Sequence, residues 1–366
     1  MPDKKLKRAL APEPIAHQGM AGPGLFGDVG GQVKMADIAM LAGVSESTVS
    51  RALAGSKLVN PATRKRIEEI AATHSYSIDQ RARNLRLSRT GTISVVFPLS
   101  HESEQGIADP FFLEMLGNLA DQLSNRGYDL LLRKIRSDVP RMLTDLLREG
   151  RTDGVLLIGQ STQHDLINEL AEHYQPLVVW GARQPDNRYI TVGSDNRGGA
   201  AAAVRHLLDC GHRRIAFLGN RQLPEVAARY QGYSQALSAA GLSVAPDLLL
   251  PVPFDRQGAF AAISGFLDRD RAIDAVFAAS DIVAIAAIRA LDQHGLKVPH
   301  DVAVVGFDDI MVAAAYTPAL STVRQDIALG ARTMVDLLFR LIEGEAVNSV
   351  ELPTALMIRA SSAHPA

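Results

Sequence analysis

The chain reads as α/β, with parallel sheets flanked by helices in two lobes behind a small helical front unit. Three observations predict this. After Thr90, short β-rich runs alternate with longer amphipathic stretches, the pattern of a mostly parallel sheet covered on both faces. That stretch is about 270 residues, large for one such sheet, so two similar sheets with a cleft between them fit better. Ahead of it, three short helical segments, the first two joined by a tight glycine turn, outline a helix-turn-helix unit.

Residues 1–32 cluster Pro, Gly and Ala without an apolar period and read as a disordered extension. Gly22-Pro23-Gly24-Leu25-Phe26-Gly27 matches G-x-G-x-x-G, but no strand precedes it, which argues against a dinucleotide site. The front unit spans 33–77. Ile38, Leu41 and Ala42 repeat at helical spacing, and Gly43 breaks the run. Ser45 can cap a second helix, in which Val49 and Leu53 sit one turn apart. Asn60-Pro61 is a strong start for a third, which buries Ile67, Ile70 and Ala71. A basic segment, 78–90, leads into 91–366, where candidate strands include 92–97, 129–132, 154–158, 177–179, 215–218, 275–277 and 302–305. Candidate helices include 111–125, 196–210, 229–240, 282–293 and 327–342.

Charge divides unevenly along the chain. The net charge is −2, yet residues 33–90 carry ten Lys/Arg against five Asp/Glu, while the residues after 90 carry 24 against 32. A front that can meet a polyanion therefore stands before a body that would repel one. One cysteine, Cys210, permits neither an internal disulfide nor a cysteine zinc site, which fits a reducing cytoplasm. No apolar run reaches the length of a membrane span, and no metal or cofactor is expected. The histidines show no H-E-x-x-H spacing, and neither G-x-x-x-x-G-K-[ST] nor G-x-S-x-G occurs, so an enzyme is the weakest class.

Two segments carry recognition chemistry. Ser45-Glu46-Ser47-Thr48-Val49-Ser50-Arg51 concentrates hydroxyls and an arginine at a helix N-terminus. Such groups suit phosphate oxygens, and Glu46, Ser47 and Arg51 have the reach for base edges. The alternative is that Ser45 and Glu46 only cap the helix and complement its dipole. The run from Asp79 to Arg89 holds four arginines around Leu85 and too few apolar residues to pack alone. It suits a minor-groove element in which Leu85 wedges between base steps, or a solvated linker.

These runs carry a resemblance. Val33-Lys34-Met35-Ala36-Asp37-Ile38-Ala39, Ala42-Gly43-Val44-Ser45, Thr48-Val49-Ser50-Arg51-Ala52-Leu53, Val59-Asn60 and Thr63-Arg64 closely resemble the DNA-binding headpiece of the lactose-repressor (LacI/GalR) family of transcription regulators. The likeness continues through Asp109-Pro110-Phe111-Phe112, Asp153-Gly154-Val155-Leu156-Leu157, Asp195-Asn196-Arg197-Gly198-Gly199-Ala200 and Gly211-His212-Arg213-Arg214-Ile215-Ala216. It closes with Arg229-Tyr230-Gln231-Gly232, Val304-Val305-Gly306-Phe307-Asp308-Asp309 and the C-terminal Leu352-Pro353 and Ile358-Arg359-Ala360-Ser361-Ser362. The N-terminal extension departs from the pattern.

The resemblance implies a homodimer on double-stranded operator DNA, with a hinge helix in 78–90 and a two-lobed periplasmic-binding-protein-like (type I) domain that takes a small effector, a sugar or glucoside by expectation. It places Ser45, Glu46, Ser47, Thr48, Ser50, Arg51 and Asn60 toward DNA, with Leu85 as the wedge and Arg86 where the family often has lysine. In the cleft, Arg229 matches the effector-binding arginine, Asp308 the carboxylate ending the Val-Val-Gly-Phe strand, Phe260 the stacking aromatic and Gln325 a polar contact. Asp109 and Phe111 join this set, and Ser280 stands where some sugar-binding members have asparagine. Arginine, carboxylate and amide groups around an aromatic face are independently what a polyhydroxylated sugar needs. Trp180 offers a second aromatic wall or ordinary core packing, and Glu225 a contact to a sugar hydroxyl or a helix N-terminal charge.

Overall fold

Alternation with a period of two and of about 3.6 residues, each matched to its own layer, builds this chain. The computed structural model describes residues 33–53, 55–56, 58–76, 89–99, 106–136, 145, 150–174, 176–269 and 272–363. The expected extension 1–32, most of the hinge segment, and its Leu85 and Arg86 lie outside the described residues. The chain divides into two compact units, Met1–Asp79 and Gln80–Ala366.

The first unit holds α1 (Met35–Ala42), α2 (Glu46–Leu53) and α3 (Pro61–Thr73). α1 stops at Gly43, whose φ of 62° is the left-handed cap that a side chain resists. α2 starts at Ser45, whose hydroxyl accepts from the Thr48 amide at 3.3 Å. α3 starts at Asn60, whose side chain accepts from the Ala62 amide at 2.9 Å, with Pro61 in the first turn. Ile38 and Ala42 of α1, Val49 and Ala52 of α2 and Ile67 of α3 close a small core with Val59, which precedes α3.

In the second unit the N-terminal lobe contains β1 (Thr92–Leu99), α4 (Pro110–Ser124), β2 (Asp129–Arg136), β3 (Gly154–Ile158), α5 (His164–His173), β4 (Leu177–Trp180) and β5 (Ile190–Ser194). The chain then crosses into α6 (Asn196–Asp209), β6 (Ile215–Leu218), α7 (Pro224–Ala239), β7 (Leu249–Leu250), α8 (Arg256–Leu267), β8 (Ala275–Ala278), α9 (Asp281–Gln293), β9 (Ala303–Asp308), α10 (Met311–Ala315) and β10 (Ser321–Gln325). It returns as α11 (Ile327–Ile342) and β11 (Val350–Leu352) and ends in β12 (Thr354–Met357). The sheets are six-stranded, in the orders β11-β5-β4-β3-β1-β2 and β12-β10-β9-β8-β6-β7. All pairings are parallel except β12 on β10.

Both faces of each sheet are covered, and the strands sort their side chains accordingly. Ile93, Val95, Phe97, Leu156 and Val178 face α4 and α11, whereas Val96, Val155, Leu157 and Val179 face α5. The second sheet repeats this, with Leu218, Val276 and Val304 toward α8 and α9. Phe217, Phe277 and Phe307 point instead toward α6 and α7. Each fully buried Val, Leu or Phe contributes roughly 1.5–3 kcal/mol. Two of the crossings are pinned by aspartate caps: Asp195 accepts from Gly198 N–H at 2.7 Å and Asp326 from Leu329 N–H at 2.9 Å. The crossings put the C-terminal ends of both sheets on one cleft, where open parallel sheets place their ligands.

Candidate functional site

Along α2 the exposed residues are Ser45, Glu46, Ser47 and Arg51, with Thr48 and Ser50 half-buried and Val49 and Ala52 facing the core. At about 100° per residue, Glu46, Ser47, Ser50 and Arg51 fall within an arc of about 140°, opposite the buried side. Ser45 is engaged with its neighbours, its hydroxyl 2.9 Å from both Ser47 Oγ and Thr48 Oγ1. Asn60 is exposed, and its carbonyl oxygen is already committed to capping α3.

The effector-binding candidates converge on a cavity of about 720 Å³ between the lobes. Asp109, Phe111, Trp180, Glu225, Arg229, Ser280, Asp308 and Gln325 all line it. Phe260 does not. It lies within α8, packed against the core of the C-terminal lobe, with the Arg289 guanidinium 4.8 Å over its ring. The aromatic presented there is Phe254, from the turn that follows β7 just before α8 begins.

Arg229 comes from the second turn of α7 and is 6% exposed, so its donors are placed rather than free. Its Nε donates to Asn196 Oδ1 at 2.8 Å, and Nη1 donates to the Ala279 carbonyl and lies 3.8 Å from Asp308 Oδ1. The guanidinium sits 3.8 Å over the Phe307 ring. Burial pulls its pKa down, and Asp308, Glu225 and Asp281 oppose that pull. A guanidinium stays charged regardless.

Asp308 ends β9 with φ 123°, a backbone setting that side chains rarely adopt, and is held there by its neighbours. Its Oδ1 accepts from Gln325 Nε2 at 2.7 Å, across from β10. The following residue, Asp309, is clamped by Arg324 Nε at 2.6 Å and Arg359 Nη2 at 2.7 Å. Burial pushes the Asp308 carboxyl up to about 7, with Asp109 adding to the rise and Arg229 and Gln325 opposing it. Behind it, Asp281 accepts from the Thr322 hydroxyl at 2.5 Å and the Ile310 amide at 2.9 Å, and is raised well above the ordinary carboxylate range by burial. Glu225, in the first turn of α7, is also raised by burial, against the pull of its own backbone, of Arg229 and of the backbone of Gln160.

Aromatic rings form the complementary surface. Phe111, just inside the α4 N-terminus capped by Asp109, lies 6.1 Å from Trp180. Trp180 can stand there because α11 carries Gly330, where a Cβ would come within 2.4 Å of its ring. Trp180 is thus both cavity wall and core residue, so the two roles weighed for it are compatible. Ser280 spends its oxygen on the Val283 amide at 3.3 Å as the cap of α9, which leaves its hydroxyl proton to donate.

Sequence reasoning assigned no role to Asn196, Gln160, Phe254 or Asp281. Gln160 and Phe254 each follow a strand's C-terminal end, and that position was the available signal.

A small helical unit presenting hydroxyls and an arginine, joined to a two-lobed domain with a charged and aromatic cleft, defines an effector-responsive DNA-binding regulator. The match to bacterial regulatory proteins of the lacI family covers residues 34–79, and that to the periplasmic binding protein-like domain covers 204–362. The HTH-type transcriptional regulator CelR of Thermobifida fusca is 37% identical over 88% of this chain and 96% of its own length. The transcriptional repressor CytR of Escherichia coli K12 is 32% identical over 90% of the chain and 96% of its own. A solved CelR–cellobiose complex superposes with a TM-score of 0.68 at 34% identity, covering 90% of this chain and 99% of that one. The lac repressor dimer bound to operator shares the fold, with a TM-score of 0.74 at 24% identity over 91% and 99% of the two chains. The chain belongs to the LacI family: it is a DNA-binding transcriptional repressor with an effector-binding domain, and not an enzyme. Among the described residues no helix is long and apolar enough to cross a membrane.

Proposed function

We propose that this protein is a cytoplasmic homodimeric repressor whose operator affinity is lowered by an uncharged sugar or glucoside held between its lobes. The observation that carries this reading is the cavity wall, to which Arg229, Asp308 and Gln325 contribute together with Phe111, Trp180 and Phe254. Charged groups make strong hydrogen bonds to hydroxyls, and the C–H face of a sugar ring packs on aromatics. Asp109, Glu225 and Asp308 outnumber the lining arginines, Arg221 and Arg229, which favours a neutral polyol over a phosphorylated one. A volume of about 720 Å³ lies within the range for small-molecule sites. The relative described with cellobiose brings that disaccharide first into consideration.

Titration calorimetry of the full chain with cellobiose, maltose, lactose, glucose, ribose and purine bases tests the reading. Binding by a saccharide, with operator affinity falling about 5–150-fold in its presence, is the expected result. Binding by purines alone, or a ligand that tightens operator binding, would replace it with a corepressor mechanism.

On the DNA side, Ser45, Glu46, Ser47, Thr48, Ser50, Arg51 and Asn60 contact operator half-sites, and Leu85, beside Arg86, wedges into the minor groove. Leu85→Ala is expected to weaken operator binding about tenfold or more and to reduce bending, because the wedge supports the kink. Effector titration should be unchanged. Equal DNA affinity of variant and wild type in a fluorescence anisotropy assay would reject the wedge.

A further inference from the structure

We infer that Asp153 is a positioning residue that couples the effector cavity to the DNA-binding unit, by clamping the chain where it enters the two-lobed domain. This rests on the reading of the protein as an effector-responsive repressor and names the contact through which the response passes. In the run Asp153-Gly154-Val155-Leu156-Leu157 the residues from Gly154 onward build β3, and the half-buried aspartate stands just ahead of it. Its Oδ1 accepts from the Thr90 N–H at 2.7 Å and from the Thr90 hydroxyl at 3.0 Å, and its Oδ2 accepts from the Gly91 N–H at 2.9 Å. Bonds to a carboxylate belong to the strong, charge-assisted class.

No sheet ladder makes these bonds. β1 first meets β3 at Ile93, opposite Gly154, so Thr90 and Gly91 lie ahead of that pairing. Gly91, with φ 71°, makes the left-handed turn that leads into β1, and its carbonyl accepts from the Asp129 N–H at 2.9 Å. Just before them, Arg89 Nη1 donates to the Tyr128 hydroxyl at 3.4 Å. The covalent route from the unit that carries α2 therefore joins the second unit at a fixed point, and Asp153 supplies three of the bonds that fix it.

The elements behind this clamp reach the cavity. Ile158, at the far end of β3, lines it together with Gly159, and Gly154 to Ile158 spans roughly 13 Å. β3 is buried throughout and paired on both sides, so it shifts as a piece. α11 runs the same way. At Gly330 it packs on Trp180, a cavity residue, and about two turns on its Leu338 packs on Gly154, where a Cβ would stand 3.1 Å away. α11 also follows closely on Gln325, which bonds Asp308 in the other lobe. A ligand that moves one lobe against the other displaces β3 and α11, and the clamp makes residues 89–91 follow. Without it the cleft still fills, but the chain ahead of β1 no longer answers.

Asp153→Asn tests this, because one carboxylate oxygen becomes an amide nitrogen that donates and so opposes Thr90 or Gly91. Thr90→Val removes the hydroxyl bond alone. Calorimetry with cellobiose reads effector affinity, and fluorescence anisotropy reads operator affinity on a duplex that the wild type selects from random sequences, both with the full-length protein. If another saccharide of the panel binds more tightly, it replaces cellobiose. Asp153→Asn should hold saccharide within about twofold of wild type. Its operator affinity without saccharide should fall about tenfold, since binding must then order the segment itself. The change in that affinity at saturating saccharide should shrink from about 5–150-fold to about threefold or less. Thr90→Val should move both quantities the same way by a smaller factor. An Asp153→Asn protein that binds saccharide and keeps the wild-type response overturns the assignment. Should that variant not fold, hydrogen exchange of the wild type decides: the Thr90 and Gly91 amides should be protected with and without saccharide, and exchange at the rate of an unstructured chain overturns the clamp. A wild type whose operator affinity answers to no saccharide sinks the sugar reading instead, and the operator affinity of Asp153→Asn and the exchange of the two amides then judge the clamp.

Discussion

Arg229→Ala is expected to cost the protein at least about a hundredfold in effector affinity while leaving operator binding in place. The side chain is a hub: it holds Asn196, meets the Ala279 carbonyl, faces Asp308 and lies flat over Phe307. Truncating one member of a buried charged pair costs roughly 2–5 kcal/mol, much of it from the charge left behind. Here the charge left behind is Asp308, already raised to about 7, so it takes up a proton and the fold survives at reduced stability. The effector does not survive as well, because the guanidinium supplies the strongest donors in the wall. The helix α2, proposed above to contact DNA, belongs to the separate unit Met1–Asp79, with its own core, so operator retention should be near wild type and no longer respond to saccharide. Arg229→Lys should recover little, since a point charge cannot fill a planar fork that bridges Asn196 and Asp308. A wild-type effector response in gel-shift titrations of Arg229→Ala would remove this residue from the pocket.

Much of the scaffold was legible because parallel strands covered on both faces read as unbroken apolar runs. Gly154–Ile158, Leu177–Trp180 and Ile215–Leu218 stand out in this way. The strands that were harder to see are those near the crossings. Ile190–Ser194 and Ser321–Gln325 mix Thr, Ser, Gln and Arg into their runs, and Val350–Leu352 is only three residues long. Their stability derives from pairing with strands remote in sequence, which no local pattern encodes. The cleft divides the same way. Arg229, Asp308 and Gln325 were legible through the family's motifs, and the structure brings all three to one wall. Phe260 was the wrong ring because an aromatic in a helical run has no marked direction until the helix docks, and α8 turns it toward Arg289. Gln160 was silent for a related reason: a lone glutamine after a strand shows its partners only once the loop carrying Ala182 and Tyr189 has folded against it.

Effector affinity should fall as the solution is acidified below about pH 7, and Asp308→Asn should remove that dependence. The direction follows from the raised carboxyl of Asp308, about 7 in the folded protein against 3.8 for an unperturbed aspartate. Between these values the ligand-free native state holds a proton that the unfolded chain has released. Stability of the empty domain therefore declines as pH rises through that window, the reverse of a salt-bridged carboxylate. Binding runs the other way. Ligand hydroxyls donating to the carboxylate favour its ionised form, so the complex releases up to one proton, and affinity rises with pH until about 7 and then levels. At pH 5 the loss reaches at most about a hundredfold, one decade per unit.

The groups around Asp308 reinforce this sign: burial and Asp109 raise it and Glu225 is itself raised by burial, while Arg229, Gln325 and the backbone of Asp281 favour the ionised form that the ligand completes. Calorimetry at pH 6 in two buffers of different ionisation enthalpy should give different apparent heats in the wild type. The heats should agree far more closely in Asp308→Asn, whose affinity at pH 8 should lie about tenfold or more below that of the wild type, because a charge-assisted bond has been replaced by a neutral one. A wild-type affinity that stays level from pH 5 to pH 8 would mean that Asp308 does not change its protonation when the cleft fills.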